Sequence, residues 1–243
     1  MSSTMNIFRV SENTVMILFD QVIDADNFSV IKQCVRNIKT SVNDKWIADI
    51  IISYASIHIT FNLLAVSGID FTRALKLALL LSNGNDANND NAEKAESDQC
   101  SPSNTIEIPV YYGEEVALDL AHVANNANLT KEEVIAIHTS QIYDVYAIGF
   151  APGFAYLGNV DTRIATARKP TPRQKVARGS VGIADQQTAI YPSESPGGWQ
   201  IIGRTPIQLI DYNSANLTQF TAGDKVNFTA MSQAEYLQMG GEL

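Results

Sequence analysis

Two apolar runs of strand length open the chain, MNIFRV (5–10) and TVMILF (14–19), parted by the turn-like Ser11-Glu12-Asn13. From Asp24 the spacing changes. Phe28, Ile31, Val35 and Ile38 recur at three and four residues, which lays one apolar stripe along a helix, with Lys32, Arg36 and Lys39 largely outside it. WIADIII and SIHITF follow as strands; in the second, Ile57, Ile59 and Phe61 alternate with His58 and Thr60, as in a strand with one buried face. Asp70 is the expected N-cap of a leucine-dense helix, FTRALKLALLLS. The order ββαββα predicts a two-layer α+β domain over residues 1–82, a small sheet with two helices on one face.

Residues 83–104 break the pattern. From Ser82 to Asn104 there are six asparagines, five acids and no large apolar residue, so the segment is expected to be a polar flexible linker or insert marking a domain boundary. Beyond it IEIPVYY, EEVALDLAHVANNAN and TKEEVIAIHTS begin a second domain, 105–243. Thr130 with Glu133 three residues on has the spacing of a capping box, which starts a new helix there. After YDVYAIGF the texture turns irregular. Gly149–Pro206 holds six of the eight prolines and eight of the fourteen glycines, interleaved with the short β-type runs SVGIA, TAIY, WQIIG and PIQLI. That mixture disfavours long helices and suits a strongly bent, mainly-β barrel or sandwich, closed by a final turn and strand in AGDKVNFTAM.

Composition narrows the function classes. A formal charge of −9 argues against non-specific nucleic-acid binding. Neither a signal peptide nor a membrane span is expected, so the cytoplasm is the default location. Two cysteines, Cys34 and Cys100, lack the spacing for a disulfide framework, a zinc site or redox work. GxxxxGK[ST], GxGxxG after a strand, HExxH and GxSxG are absent. His58, His122 and His138 are not spaced as metal ligands, and packed or solvated histidines are the ordinary reading. No metal site is predicted in the chain.

Three stretches carry chemistry. Thr162–Ala184 has no acid yet contains Arg163, Arg168, Lys169, Arg173, Lys175 and Arg178, six of seventeen basic residues. It fits a carboxylate- or phosphate-bearing ligand, and equally a solvated loop or a surface docking an acidic protein. FAPGFAYLG places Phe150, Phe154 and Tyr156 around Pro152-Gly153. It reads either as the wall of an apolar cleft with nearby backbone N–H groups, or as a structural turn pinned by its own aromatics. YPSESPGGWQIIGRTP, Tyr191–Pro206, crowds three prolines and three glycines around Trp199. Ser193, Ser195 and the Gly197-Gly198 backbone suit an anion nest, while Pro196 and Trp199 suit a tight turn with its tryptophan packed over it.

Taken together, GFAPGFAYLG, PTPRQKV and GSVGIADQQTAIYPSESPGGWQIIGRTP resemble the signature of the KipI/PxpB family, also known as allophanate hydrolase subunit 1 or carboxyltransferase subdomain C/D. The likeness is dense from about Glu132 to Pro206 and collinear through the N-terminal half. It implies a cyclophilin-like β-barrel as the second domain. In bacteria the commonest role it implies is as the B component (PxpB) of an ATP-dependent 5-oxoprolinase, which opens 5-oxo-L-proline to L-glutamate. Such a component is expected to be inactive alone and to act with a PxpC/KipA-type subunit and a LamB/YcsF-type (PxpA) subunit, on ATP with magnesium at a shared site. The family's other roles are inhibition of a sensor histidine kinase and part of a urea carboxylase-type carboxyltransferase.

Under that resemblance Arg173, Arg204 and the Gly179, Ser180 and Gly182 backbone become candidate anion contacts, and Gln187, Thr188 and Tyr191 candidate substrate-orienting groups. Ser195 to Trp199 are expected to form one wall of a cleft beside Phe150–Gly158. No catalytic side chain is singled out. The chain departs from the family at several positions, among them Ala184-Asp185 where Gly-Gly is usual and Ala177-Arg178 where Pro-Ala is usual.

Overall fold

The computed structural model describes residues 5–22, 25–83, 105–214 and 217–243. It divides into two compact units, Met1–Pro102 and Ser103–Leu243. The expected linker lies, from residue 84 on, outside the described residues.

In the first unit, alternation makes the sheet and the three-four spacing makes its cover. The strands β1 (Asn6–Arg9), β2 (Thr14–Leu18), β3 (Ile47–Ser53) and β4 (Ser56–Phe61) pair antiparallel in the order β1-β2-β4-β3. One face of the sheet presents Val15, Ile17, Ile57, Ile59 and Phe61. The helices α1 (Ala25–Ser41) and α2 (Gly68–Asn83) close over it with Phe28, Ile31, Val35 and Ile38 and with Phe71, Leu75 and Leu79, giving one continuous core. Each such side chain contributes roughly 1.5–3 kcal/mol when fully buried. The start of α2 differs from the expectation. Ser67, not Asp70, caps it: the Ser67 hydroxyl accepts from the Asp70 N–H at 3.2 Å and donates to the Asp70 carboxylate at 2.7 Å, so Asp70 stands within the first turn.

The second unit carries β5 (Thr105–Val110), α3 (Leu120–Ala127), α4 (Lys131–Thr139), β6 (Ile142–Ile148), β7 (Ala155–Gly158), β8 (Arg173–Val176), β9 (Ser180–Ala184), β10 (Gln187–Ile190), β11 (Ser195–Gly197), β12 (Gln200–Arg204), β13 (Lys225–Ala230) and α5 (Gln233–Gln238). Seven strands form a sheet in the order β12-β9-β10-β7-β6-β13-β5. Its two ends meet: Tyr111, just past β5, exchanges both backbone hydrogen bonds with Arg204 of β12, at 2.9 and 2.8 Å. The sheet is thereby nearly closed into a barrel. Its interior is filled by Val110, Val145, Leu157, Val181, Ile183, Ile202, Val226 and Phe228, and α3 and α4 add Leu120, Val123 and Val134 to the same core.

Capping explains the helix boundaries. Thr130 and Glu133 form the capping box that their spacing predicts. The stretch before α3 is turn rather than helix, and α3 ends at Asn128, whose φ of 55° takes the left-handed conformation that asparagine tolerates. PIQLI is not a strand; only Ile210 bridges, to Thr218. A helix that hydrophobic spacing does not reveal, α5, starts from a second capping box, Ser232 with Glu235. No helix among the described residues is long and apolar enough to cross a membrane.

Candidate functional site

A third, smaller core sits at one corner of the barrel. Phe154, Val176, Ala184, Ala189, Tyr191, Trp199 and Ile201 pack together there, with Tyr156 and Ala151 at the margin. Phe154 is the hub. Its ring lies edge-on to Tyr191 at 5.4 Å, to Trp199 at 5.7 Å, to Tyr156 at 4.9 Å and to Phe150 at 5.4 Å. Edge-to-face contacts at these distances add about 0.5–1.5 kcal/mol each beyond area burial. FAPGFAYLG and SESPGGWQ thus meet at one place, although more than thirty residues separate them.

Glycines make the approach possible. A Cβ on Gly197 would stand 2.2 Å from the Tyr191 hydroxyl, which is hydrogen-bonded by the Trp199 backbone, and a Cβ on Gly182 would press on Trp199 at 3.1 Å. Gly153, at φ 75°, turns the chain inside GFAPGF. Phe150 is the exception to economy. It holds φ 69° with a bulky side chain, and the residue is 68% exposed. A large residue held in the left-handed region is strained, and strain of this kind collects where a chain must present a side chain to something else.

The basic run is divided by the fold. β8 pairs with β11 in a two-stranded ribbon, so PTPRQKV lies against SESPGG; the Lys169 N–H donates to the Gly198 carbonyl at 2.7 Å. Four of the cations are neutralised at the surface or rim: Arg163 by Asp161, Lys175 by Glu194, and Arg173 and Lys169 by Asp119. Arg204 and Arg178 lie elsewhere, beside Tyr236 and the C-terminal residues, where Arg204 donates to the carbonyls of Arg178 and Glu242 at 2.8 and 2.9 Å. Arg168 is exposed and has no ion-pair partner among the described residues. It stands close enough to Tyr156 and Tyr191 to favour their phenolates, against the burial that raises both.

Asp119 was invisible as a site residue in the sequence. It is only 4% exposed and occupies the N-cap position of α3, yet its carboxylate makes no cap hydrogen bond. Instead it faces the basic loop. Arg173 donates to both of its oxygens at 2.8 Å, Lys169 to Oδ1 at 3.1 Å and the Ile201 N–H to Oδ2 at 2.7 Å, while the Asp119 N–H donates to the Ile201 carbonyl at 2.7 Å. Burial alone would raise its pKa. The hydrogen bonds from Arg173, Ile201 and Lys169 and the charge of Arg173 outweigh that, and the carboxyl sits below its ordinary range. Gln200 fixes the same loop, its amide donating to the Ala167 carbonyl at 2.9 Å. An aspartate directly before a helix reads as a cap, and no local spacing ties it to partners fifty residues away.

The backbone groups of the remaining candidates are largely taken up by strand pairing. β9 pairs on both edges, with β10 and β12, and the Gly179 N–H donates to the Tyr191 carbonyl, so the Gly179, Ser180 and Gly182 backbone serves the sheet. Thr188 is buried inside the barrel, its hydroxyl donating to the Gly182 carbonyl at 3.0 Å and meeting His138 Nε2 at 3.1 Å. That hydroxyl hydrogen is already committed, so His138 carries its proton on Nε2, and Nδ1 accepts from the Tyr112 hydroxyl at 2.9 Å. Burial pushes the imidazole down to about 3. Gln187 opens β10 opposite Gly158, and Ser195 and Gly197 pair with Val176 and Arg173. Among the described residues no three of His, Cys, Asp and Glu are grouped to hold a metal ion.

An exposed strained phenylalanine, a half-buried tyrosine and an arginine without an ion-pair partner among the described residues gather beside the small aromatic core, which makes this corner of the barrel-like domain the candidate site. The match to known proteins is specific. The chain belongs to the carboxyltransferase domain family, subdomain C and D, whose model matches residues 5–220. It is 50% identical over 131 residues to the B subunit of 5-oxoprolinase from Bacillus subtilis, covering 54% of this chain and 55% of that one. It is 51% identical over 123 residues to the protein of the same name from Haemophilus influenzae, covering 51% and 58%. The chain therefore spans little more than half the length of these curated relatives. Among solved structures it is similar to TTHA0988, with a TM-score of 0.72 and 26% identity, over 90% of this chain and 40% of that one. It is also similar to a conserved uncharacterized protein, PH0987, from Pyrococcus horikoshii, with a TM-score of 0.54 and 32% identity, over 95% of this chain and all of that one. The Kluyveromyces lactis urea amidolyase, at 17% identity and a TM-score of 0.67, shares the fold.

Proposed function

We propose that this chain is the B-type subunit of an ATP-dependent 5-oxoprolinase, opening 5-oxo-L-proline to L-glutamate together with PxpC/KipA-type and LamB/YcsF-type partners. The observation that carries the reading is sequence identity of 42 to 51% to three proteins named as the B subunit of 5-oxoprolinase. The corner is compatible with that chemistry. Opening a lactam with ATP requires cations for phosphate or carboxylate oxygens and a surface for an apolar ring. In this reading Arg168 supplies the cation, and Phe150 and Tyr156 supply the surface, with the buried Trp199 packed against Tyr156. Arg173 is held by Asp119, so in this reading it shapes the loop and leaves direct anion contact to Arg168.

This chain offers no grouped carboxylates for magnesium among the described residues. In this reading the ion is held by phosphate oxygens and by a partner, and the barrel, of cyclophilin-like type, contributes one wall of a shared site. The test is co-expression with the partner subunits, followed by ATP-dependent glutamate release from 5-oxoproline. The assembled complex is expected to be active and Arg168→Ala to raise KM or lower kcat by about tenfold or more, the loss expected when a charged contact to substrate is removed. An assembled, folded complex without activity overturns the reading.

A further inference from the structure

Helix α2 is apolar on two sides. Phe71, Leu75, Ala78 and Leu79 face the core, whereas Ile69, Leu77 and Leu80 are 72, 59 and 67% exposed. These three line an open groove of about 830 Å³, and its other walls are Ile7 and Arg9 of β1, Val15 of β2, and Gly68, Thr72, Arg73 and Lys76 of α2. β1 is an edge strand of the sheet, so the groove runs along the side of the first unit.

Every charge lining it has the same sign. Arg9, Arg73 and Lys76 are cations and no acid lines the walls, in a chain whose net charge is −9. Arg9 is locked in place over Gly68, where a Cβ would stand 2.9 Å from the guanidinium. It donates to the carbonyls of Ser11 and Glu12, neutral acceptors that leave its charge uncompensated. Arg73 and Lys76 have no ion-pair partner among the described residues, and they separate Ile69 from Leu77 and Leu80.

We propose that this groove docks an acidic amphipathic helix of a partner protein. The exposed apolar positions run from Ile69 to Leu80, about 16 Å at 1.5 Å per residue, the length of a three-turn helix laid alongside. Leucine-like anchors on that helix cover Ile69, Leu77, Leu80 and the half-buried Ile7, above a floor that includes the buried Val15. Carboxylates on its flanks meet Arg9, Arg73 and Lys76. A free phosphate or nucleotide would satisfy the cations and leave the apolar side chains wet. A membrane surface fits poorly, since the apolar groups line a concavity rather than a convex face. The inference stands apart from the reaction proposed for the barrel.

The experiment is fluorescence anisotropy of the full chain with a labelled helical peptide of about twelve residues, leucine at positions i, i+4, i+7 and i+11 and glutamate on the flanks, against the same peptide with lysine for glutamate. Saturable binding of the glutamate peptide alone is expected. Arg73→Glu with Lys76→Glu is expected to weaken it by about tenfold or more and to transfer preference to the lysine peptide, as reversal of facing charges does. Leu77→Ser with Leu80→Ser should weaken both. All four side chains are exposed, so far-UV circular dichroism and melting temperature should match the parent. No saturable binding of the glutamate peptide, equal binding after charge reversal, or a preference for vesicles of anionic phospholipid over the peptide each overturn the proposal.

Discussion

Two of the polar groups buried in the barrel unit, His138 and Asp119, are satisfied in opposite ways. His138 lies in the interior, stacked on Phe228 at 4.6 Å, and its two hydrogen bonds are to the hydroxyls of Tyr112 and Thr188. Asp119 lies at the rim, ionised, with three hydrogen bonds from two cations and one from a backbone N–H. The interior tolerates a titratable group by keeping it neutral. At the rim a charge persists because its partners, with side chains 23 and 29% exposed, keep one side in water. The neutral anchor ties α4 to β9 and β10 through Thr188 and Gly182, and so serves the fold. The charged anchor ties the basic loop to β12 beside the aromatic corner, and so serves the site.

The sharpest way to break this contrast is Asp119→Ala. It strands Arg173 and Lys169 without an anion and leaves the buried Ile201 N–H without an acceptor, a loss of about 3 kcal/mol. Chemical denaturation of the variant should show it. Asp119→Asn keeps the shape and part of the hydrogen bonding and should lose less than Ala. If both variants are as stable as the parent, the clasp does not hold the loop.

His138→Phe tests the other anchor. The ring keeps its stacking on Phe228, but the buried Tyr112 hydroxyl loses its acceptor, and the expected loss is about 2 kcal/mol. Adding Tyr112→Phe should recover much of it, because an apolar pair replaces a half-satisfied one. The two anchors also part in their response to pH. The native imidazole stays neutral down to about 3 while the unfolded one protonates near 6.5, so below 6.5 the unfolded state binds the extra proton and stability falls as the pH drops. The slope from this group is at most about 1.4 kcal/mol per pH unit, and it ends near the native value. Asp119 has a lowered native pKa, so its contribution is intact above its unfolded value of 3.8 and is lost as pH falls through the native one. Between pH 6 and 4, therefore, His138→Phe should flatten the stability profile and Asp119→Asn should leave its slope unchanged. The reverse pattern would dissolve the distinction.

These anchors also show what the sequence made legible. Periodicity carried the ββαββα order, because the spacing of Phe28, Ile31, Val35 and Ile38 and the alternation of Ile57, Ile59 and Phe61 are local signals. Thr130 and Glu133 announced α4 for the same reason. Ser232 and Glu235 offered an equal signal for α5 without a following apolar stripe. A bent β-barrel or sandwich was legible, but not which strands close it, since Tyr111 meets Arg204 and β5 pairs in parallel with β13 only once the whole unit is assembled. The basic run looked uniform in one dimension. In three it separates, because Asp119 lies 50 and 54 residues from Lys169 and Arg173.

The smallest effect separates two backbone positions rather than two anchors. Asp185 and Phe150 both hold a positive φ, 53° and 69°. Asp185 opens the two-residue turn between β9 and β10, where glycine is favoured and a short polar side chain tolerates the left-handed region. Its N–H is fixed by the Thr166 carbonyl at 2.8 Å. Asp185→Gly should therefore change stability by no more than about 1 kcal/mol, relief of the conformation being offset by the greater freedom of the unfolded chain. Phe150 has no such excuse of size. Phe150→Gly should leave stability equal or higher by about 1 kcal/mol, because the exposed ring gives up little burial and the strain disappears. Yet it removes the ring that stands over Phe154. Thermal melts of the two variants alongside ligand or partner binding decide the matter: Asp185→Gly is expected to bind as the parent does, and Phe150→Gly to bind weakly while melting no earlier. If Phe150→Gly both melts earlier and binds normally, the phenylalanine is a structural prop and the corner's function lies with Arg168 and Tyr156 alone.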